Sequence, residues 1–140
     1  MKLVTYILLV SLILSGCSNQ KHLFSEWLTL TEIDEYMQEL DGDKPGGKNF
    51  WDRGHRITAA EGRWKNGIPQ YRIAYEVVPP SKAHWWFWYI NQDQKSFDKH
   101  VHRLADDGYT LVYHNSYIRP GGSERFQGVW HKLIPRNSDE

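Results

Sequence analysis

The chain has 140 residues, with 17 Lys and Arg against 17 Asp and Glu, so its formal charge is zero. That balance speaks against a nucleic-acid binder relying on bulk positive potential, and against a highly charged disordered chain. Hydrophobic residues at 40% are ordinary for one small globular domain, but 7 Trp, 8 Tyr and 5 Phe are a heavy aromatic load.

Lys2 precedes an apolar run over residues 3–14, broken only by Thr5 and Ser11. It is too short for a membrane span and has the length of a signal-peptide core. It ends in Leu14-Ser15-Gly16-Cys17, which resembles the lipobox of bacterial lipoproteins. The resemblance implies cleavage after Gly16, lipidation of the Cys17 thiol and anchorage in a lipid bilayer. Cys17 is the only cysteine, so it has no disulfide partner within the chain. Ser18, rather than Asp, follows it. By the same resemblance the protein belongs in the cell envelope, at the outer membrane facing the periplasm if the source is Gram-negative. Residues 1–16 are thus expected to be a signal peptide and 17–27 a lipidated Cys with a short tether. A folded domain is expected over 28–134 and a polar tail over 135–140.

The first element predicted is a helix. Thr29 and Glu32 fit a capping box, and Ile33, Tyr36, Met37 and Leu40 share one helical face. The Gly/Pro/Asp cluster over residues 41–47 stops it. A strand over 55–64 follows, then Asn66-Gly67, a signal for a tight hairpin. Tyr71, Ile73, Tyr75 and Val77 alternate with Arg72, Ala74 and Glu76 as a half-buried strand would, and Pro79-Pro80 ends it. Residues 84–90, HWWFWYI, form a third strand with bulky groups on both faces. A helix over 93–106 buries Phe97, Val101, Leu104 and Ala105, and Gly108 ends it. Strands over 109–118 and 125–133 flank the turn Pro120-Gly121-Gly122.

Aligning Gly54 with Gly108 exposes an internal repeat. Gly54 lies 17 residues before Tyr71 and Gly108 18 before Phe126; Tyr75 and Trp130 keep the same one-residue difference. The chain therefore reads as two helix–strand–strand units, with the Trp-rich strand between them. The expected fold is α+β, an antiparallel sheet of about five strands with two helices on one face. The second copy offers Phe97, Gly108-Tyr109, Tyr117, Gly121-Gly122 and Val129-Trp130. The upstream segment offers Gly62-Arg63, Asn66-Gly67, Tyr71-Arg72 and Trp85-Trp86. In order and spacing these resemble the bacterial tandem repeat, or polyglycine hydrolase-type structural repeat. The resemblance implies a non-catalytic module and carries over no catalytic residues.

Ser96 and Lys99 match the Ser-x-x-Lys of serine β-lactamase-like enzymes, and Tyr113 to Asn115 match Tyr-x-Asn. The residue counts make such a coincidence ordinary, no Lys-Thr-Gly follows, and the chain is too short for that fold. His100 and His102 sit two apart on a helix and cannot chelate together, whereas His84, His114 and His131 lie on strands. No metal and no cofactor is expected. Arg56, Arg63 and Arg72 read as solvated strand edges with an anion site as the alternative. On the Trp-rich strand, Trp85, Phe87 and Tyr89 face one way and Trp86 and Trp88 the other. Either both sets are core or one is a binding face, and the candidate binding residues are Trp86, Trp88, His84 and His114. The function expected is a membrane-anchored, non-catalytic interaction module contacting an envelope protein or glycan, not nucleic acid. The alternatives are an enzyme acting on peptide or cell-wall substrates and a structural accessory lipoprotein.

Overall fold

In the computed structural model, residues 22–41, 55–79 and 84–133 are described. The signal segment, Cys17, the Gly/Pro loop with Gly54, Pro80 and the tail lie outside them. The element order is α1 (Leu30–Asp41), β1 (His55–Lys65), β2 (Ile68–Val77), β3 (His84–Gln92), α2 (Gln94–Asp106), β4 (Thr110–Ile118) and β5 (Glu124–Leu133). The fold is α+β with two helices and five antiparallel strands.

The five strands divide into two sheets. β1 and β2 form a hairpin, and β3, β5 and β4 form a three-stranded sheet in that order. Residues 22–28 extend the hairpin. Phe24 and Leu28 bridge Ala74 and Tyr71, Ser25 N–H donates to the Ile73 carbonyl, and Leu28 and Tyr71 exchange backbone bonds at 2.7 Å. Most of this stretch falls within the expected tether over 17–27, yet it runs along an edge of the first sheet. Phe24 and Trp27 also stack on the Arg72 guanidinium, at 4.3 and 4.5 Å, and Arg63 lies 4.0 Å from the Trp27 ring.

The duplication extends to hydrogen-bond register. In the first hairpin Ile57 pairs with Tyr75, Ala59 with Ala74 and Glu61 with Arg72; in the second, Leu111 pairs with Trp130, Tyr113 with Val129 and Asn115 with Gln127. Every one of these positions is displaced by 54 residues on the outgoing strand and 55 on the returning one. Each outgoing strand carries a bulge at the same place, between Ile57 and Ala59 and between Leu111 and Tyr113. The first strand and helix also correspond, displaced by 64. Phe24 and Leu28 bridge Ala74 and Tyr71 as Trp88 and Gln92 pair with Val129 and Phe126. The Trp-rich strand is therefore the first strand of the second unit, not a link between two. The second unit is strand–helix–strand–strand; in the first, residues 22–28 take the place of β3 through two isolated bridges to β2, and the ten-residue difference in offset falls in the connection from α1 to β1.

The helices start alike. Glu32 N–H donates to Thr29 Oγ1, and Glu32 Oε2 accepts from Thr29 N–H at 2.7 Å. Asp93 Oδ1 accepts from Ser96 N–H at 2.7 Å, 64 residues on. These bonds hold the carboxyls of Glu32 and Asp93 below their usual range.

Packing runs in the order α1, first sheet, second sheet, α2. α1 contacts β2, α2 contacts the second sheet, and β1 crosses β3, β4 and β5. Residues 57–60 on β1 and 127–130 on β5 are consecutively buried, so both strands are covered on both faces. Ile33 of α1 joins Ile57, Ala60, Tyr71 and Ile73 with Tyr117 and Val129 of the second sheet. Phe97 and Leu104 of α2 enclose Trp130 on the far side. The contact between sheets is close because Gly62 has no side chain: a Cβ there would lie 2.6 Å from Gln127 Nε2 and 2.8 Å from the Tyr117 ring. Likewise the Trp130 indole lies over Gly128, where a Cβ would come within 2.5 Å of the ring.

Several polar groups inside the contact are paired. The Tyr71 and Tyr117 hydroxyls meet at 2.7 Å, and burial with this bond pushes the Tyr71 phenol upward. Fully buried Gln127 accepts from Asn91 N–H at 3.0 Å, inside the β3 bulge where Asn91 has φ 55. Asn115 Oδ1 accepts from Gly62 N–H at 2.9 Å, and His131 Nε2 lies 2.7 Å from the Ile57 carbonyl oxygen. Among the described residues β1 pairs with one strand, β2, so these side chains from the second sheet satisfy groups on its other edge.

Gly62→Ala and Gly128→Ala are each expected to destabilise the fold by about 1–3 kcal/mol, as overpacking of a dense contact does. Urea denaturation curves measure this. Lowered carboxyl pKa values stabilise the fold above the unfolded pKa, and that contribution is lost as pH falls through the folded value. Asp93→Asn keeps the capping acceptor, so between about pH 5 and 2 its melting temperature should fall less than that of the wild type.

Candidate functional site

β3 lies at an edge of the second sheet, and its two faces meet different surroundings. Trp86 and Trp88 turn toward the first sheet, where they are partly buried and pack against the shared core. Trp85 and Phe87 point the other way and remain 50% and 39% exposed. Of the two sets, the more open is Trp85 with Phe87. His84 opens the strand opposite Leu133; its side chain lies outside the described residues. His114 is exposed on β4 opposite Gly128, and strand alternation sets it on the face away from Tyr113 and Asn115. The structure therefore does not bring His114 together with Trp86 and Trp88.

The surface around Phe87 is built from three elements. Tyr109, which follows α2, meets the Phe87 ring edge-on at 5.2 Å. Arg103 of α2 lies 5.9 Å from the Phe87 ring and donates to the Tyr89 hydroxyl at 2.9 Å. Lys132 of β5 lies 5.4 Å from the Tyr109 ring and donates to the Asp107 carbonyl at 2.7 Å. Tyr89 stacks on His100, and burial together with Arg103 and Lys99 pushes the His100 pKa down. The result is an aromatic ridge whose two cations rest against ring faces and neutral oxygens. Such a ridge offers π-faces to flat apolar ligand surfaces and donors at its rim. The alternation of β3 already grouped Trp85 with Phe87. Which face the second unit would cover depends on where the first sheet docks, and nothing local on β3 encodes that.

The arginines considered as an anion site are engaged. Arg56 pairs with Glu76, Arg72 with Glu61 at 2.6 Å, and Arg63 donates to Gln70 at 3.0 Å. Glu61 also accepts from the Tyr113 hydroxyl at 2.5 Å, and burial with this bond raises Tyr113 to about 12. Ser96 occupies the first turn of α2, with its backbone N–H on the Asp93 cap. Among the described residues no three His, Cys, Asp or Glu side chains gather as metal ligands do.

A concavity lies on the first unit, between residues 23–25, α1 and the end of β2. It holds about 460 Å3 and is lined by Leu23, Ser25, Tyr36, Tyr75, Glu76 and Val77 among others. Nothing in the residues marks it, because Ser25 lies within the expected tether over 17–27.

Comparison with known proteins matches residues 84–133 to the family described as polyglycine hydrolase-like, structural repeat. No curated protein and no solved structure matches the chain. The matched segment begins with the first residue of β3 and ends with the last of β5, so its limits are those of the second strand–helix–strand–strand unit. That segment is therefore similar to one repeat of this structural type, and the first unit reproduces its register.

Proposed function

We propose that this chain is a non-catalytic interaction module of a bacterial cell envelope, anchored to the bilayer through acylated Cys17. The Leu14 to Cys17 motif supports the anchor, and the structural-repeat match supports a module that acts by contact. The observation that carries the reading is the exposed aromatic ridge of Trp85 and Phe87 on an edge strand, backed by Tyr109 and flanked by Arg103. Solvated rings of this size are the groups that anchor interfaces and stack on sugar rings. The ligand class is an envelope protein or an envelope glycan.

Capture from envelope extract by the lipidated protein, compared with a Trp85→Ala, Phe87→Ala double variant, tests the ridge. Bound material should fall at least tenfold, a change of about 1.4 kcal/mol; unchanged capture rules the ridge out. The anchor is tested separately. Radiolabelled palmitate should enter the wild-type chain and not a Cys17→Ser variant.

A further inference from the structure

Because the two units share one register, each side chain in one has a counterpart in the other. In the second unit the Tyr89 ring fills a slot. It stacks on His100 with centroids 3.6 Å apart and planes 11° from parallel, and it meets Trp130 edge-on at 5.9 Å. Its hydroxyl accepts from Arg103 at 2.9 Å. The counterparts of His100 and Trp130 in the first unit are Tyr36 and Tyr75, displaced by the same 64 and 55 residues as the elements that carry them. Both walls of the slot are therefore aromatic again. The counterpart of Tyr89 is Ser25, which has no ring, and the groove of about 460 Å3 lies where that ring would be.

We propose that this groove is a binding site for an aromatic side chain of a partner protein, a tyrosine in particular. The fold already shows how such a ring sits, flat on one wall and edge-on to the other. The polar group at the slot has changed in a complementary way. Where Arg103 donates to the Tyr89 hydroxyl, the first unit carries Glu39, one turn along α1 from Tyr36; Glu76, which also lines the groove, is paired with Arg56. Carboxylates accept from a phenol O–H and repel an anionic ring. Exposed Leu23 and Val77 form the apolar lip over which the rest of the partner lies. Ser25 itself is held by the backbone: it donates to the Glu26 carbonyl and accepts from Ile73 N–H. This site goes beyond the Trp85–Phe87 ridge and stands on different residues.

The test is an NMR titration of the full chain in detergent micelles with N-acetyltyrosinamide, using N-acetylalaninamide and N-acetylglucosamine as comparison probes. The tyrosine probe should shift the Tyr36 and Tyr75 resonances saturably, and the alanine probe should not. Ser25→Tyr rebuilds the internal ring and should abolish that saturation, whereas Ser25→Ala should keep it. If Ser25→Tyr does not fold, Tyr36→Ala decides, since removing the flat wall should also abolish saturation. Saturation that survives loss of the wall, or a response to the sugar and not to tyrosine, overturns the proposal. Neither outcome bears on capture by Trp85 and Phe87, so the two readings fail separately.

Discussion

Each unit of this protein has a sheet with two apolar faces and a single helix to cover them. The uncovered face is the constraint on which the rest of the structure depends. A helix can hide one side, as α2 hides Trp130 and Phe126, but Val129 and Tyr117 on the other side need a second sheet. The two copies supply it for each other. That explains the consecutive burial along β1 and β5, the small residue at position 62 and the polar groups that meet in pairs where the sheets cross. A single unit would leave Asn115, the Tyr117 hydroxyl and the free edge of β1 without the partners they meet across the sheets.

Common register does not mean common chemistry. Ile33 and Phe97 hold equivalent places on the two helices, and both are buried. The bulges, caps and hairpin pairings are likewise retained, because they set the backbone path. The outer side of the segment that opens each unit is one place where the chemistry differs. There the second unit carries Trp85, Phe87 and Tyr89, and the first carries Leu23 and Ser25 at the places of the last two. One copy presents rings outward and the other a recess. The backbone scaffold is maintained by packing that both copies need, and it leaves these outer positions free to diverge.

Much of this was legible in the residues. Asn66 and Gly67 adopt φ 54 and 80, as their pairing in a tight hairpin requires. The capping box at Thr29 and Glu32 forms both of its bonds. The constant one-residue offset between Gly54–Tyr71 and Gly108–Phe126 anticipated the duplicated register. Two things were not legible, for a shared reason. Residues 22–28 contain Ser, Glu and His, and they line up in extended form only because β2 offers an edge more than forty residues away. The faces of β3 are equally bulky, so local pattern cannot choose between Trp86 with Trp88 and Trp85 with Phe87. The choice is made by the other sheet. In both cases the deciding partner is remote in sequence, and short-range periodicity carries no information about it.

The stitched segment at residues 22–28 has a mechanical consequence. A pull on residue 22 directed away from residue 28 runs along the strand axis, so the bonds from Ser25 and Leu28 to β2 bear it together and not one after another. The rings of Phe24 and Trp27 stacked on Arg72 and Arg63 must slide before that strand can move. Tension arriving from the amino terminus is therefore shared in shear across the first sheet, and peeling from the edge is the weaker direction.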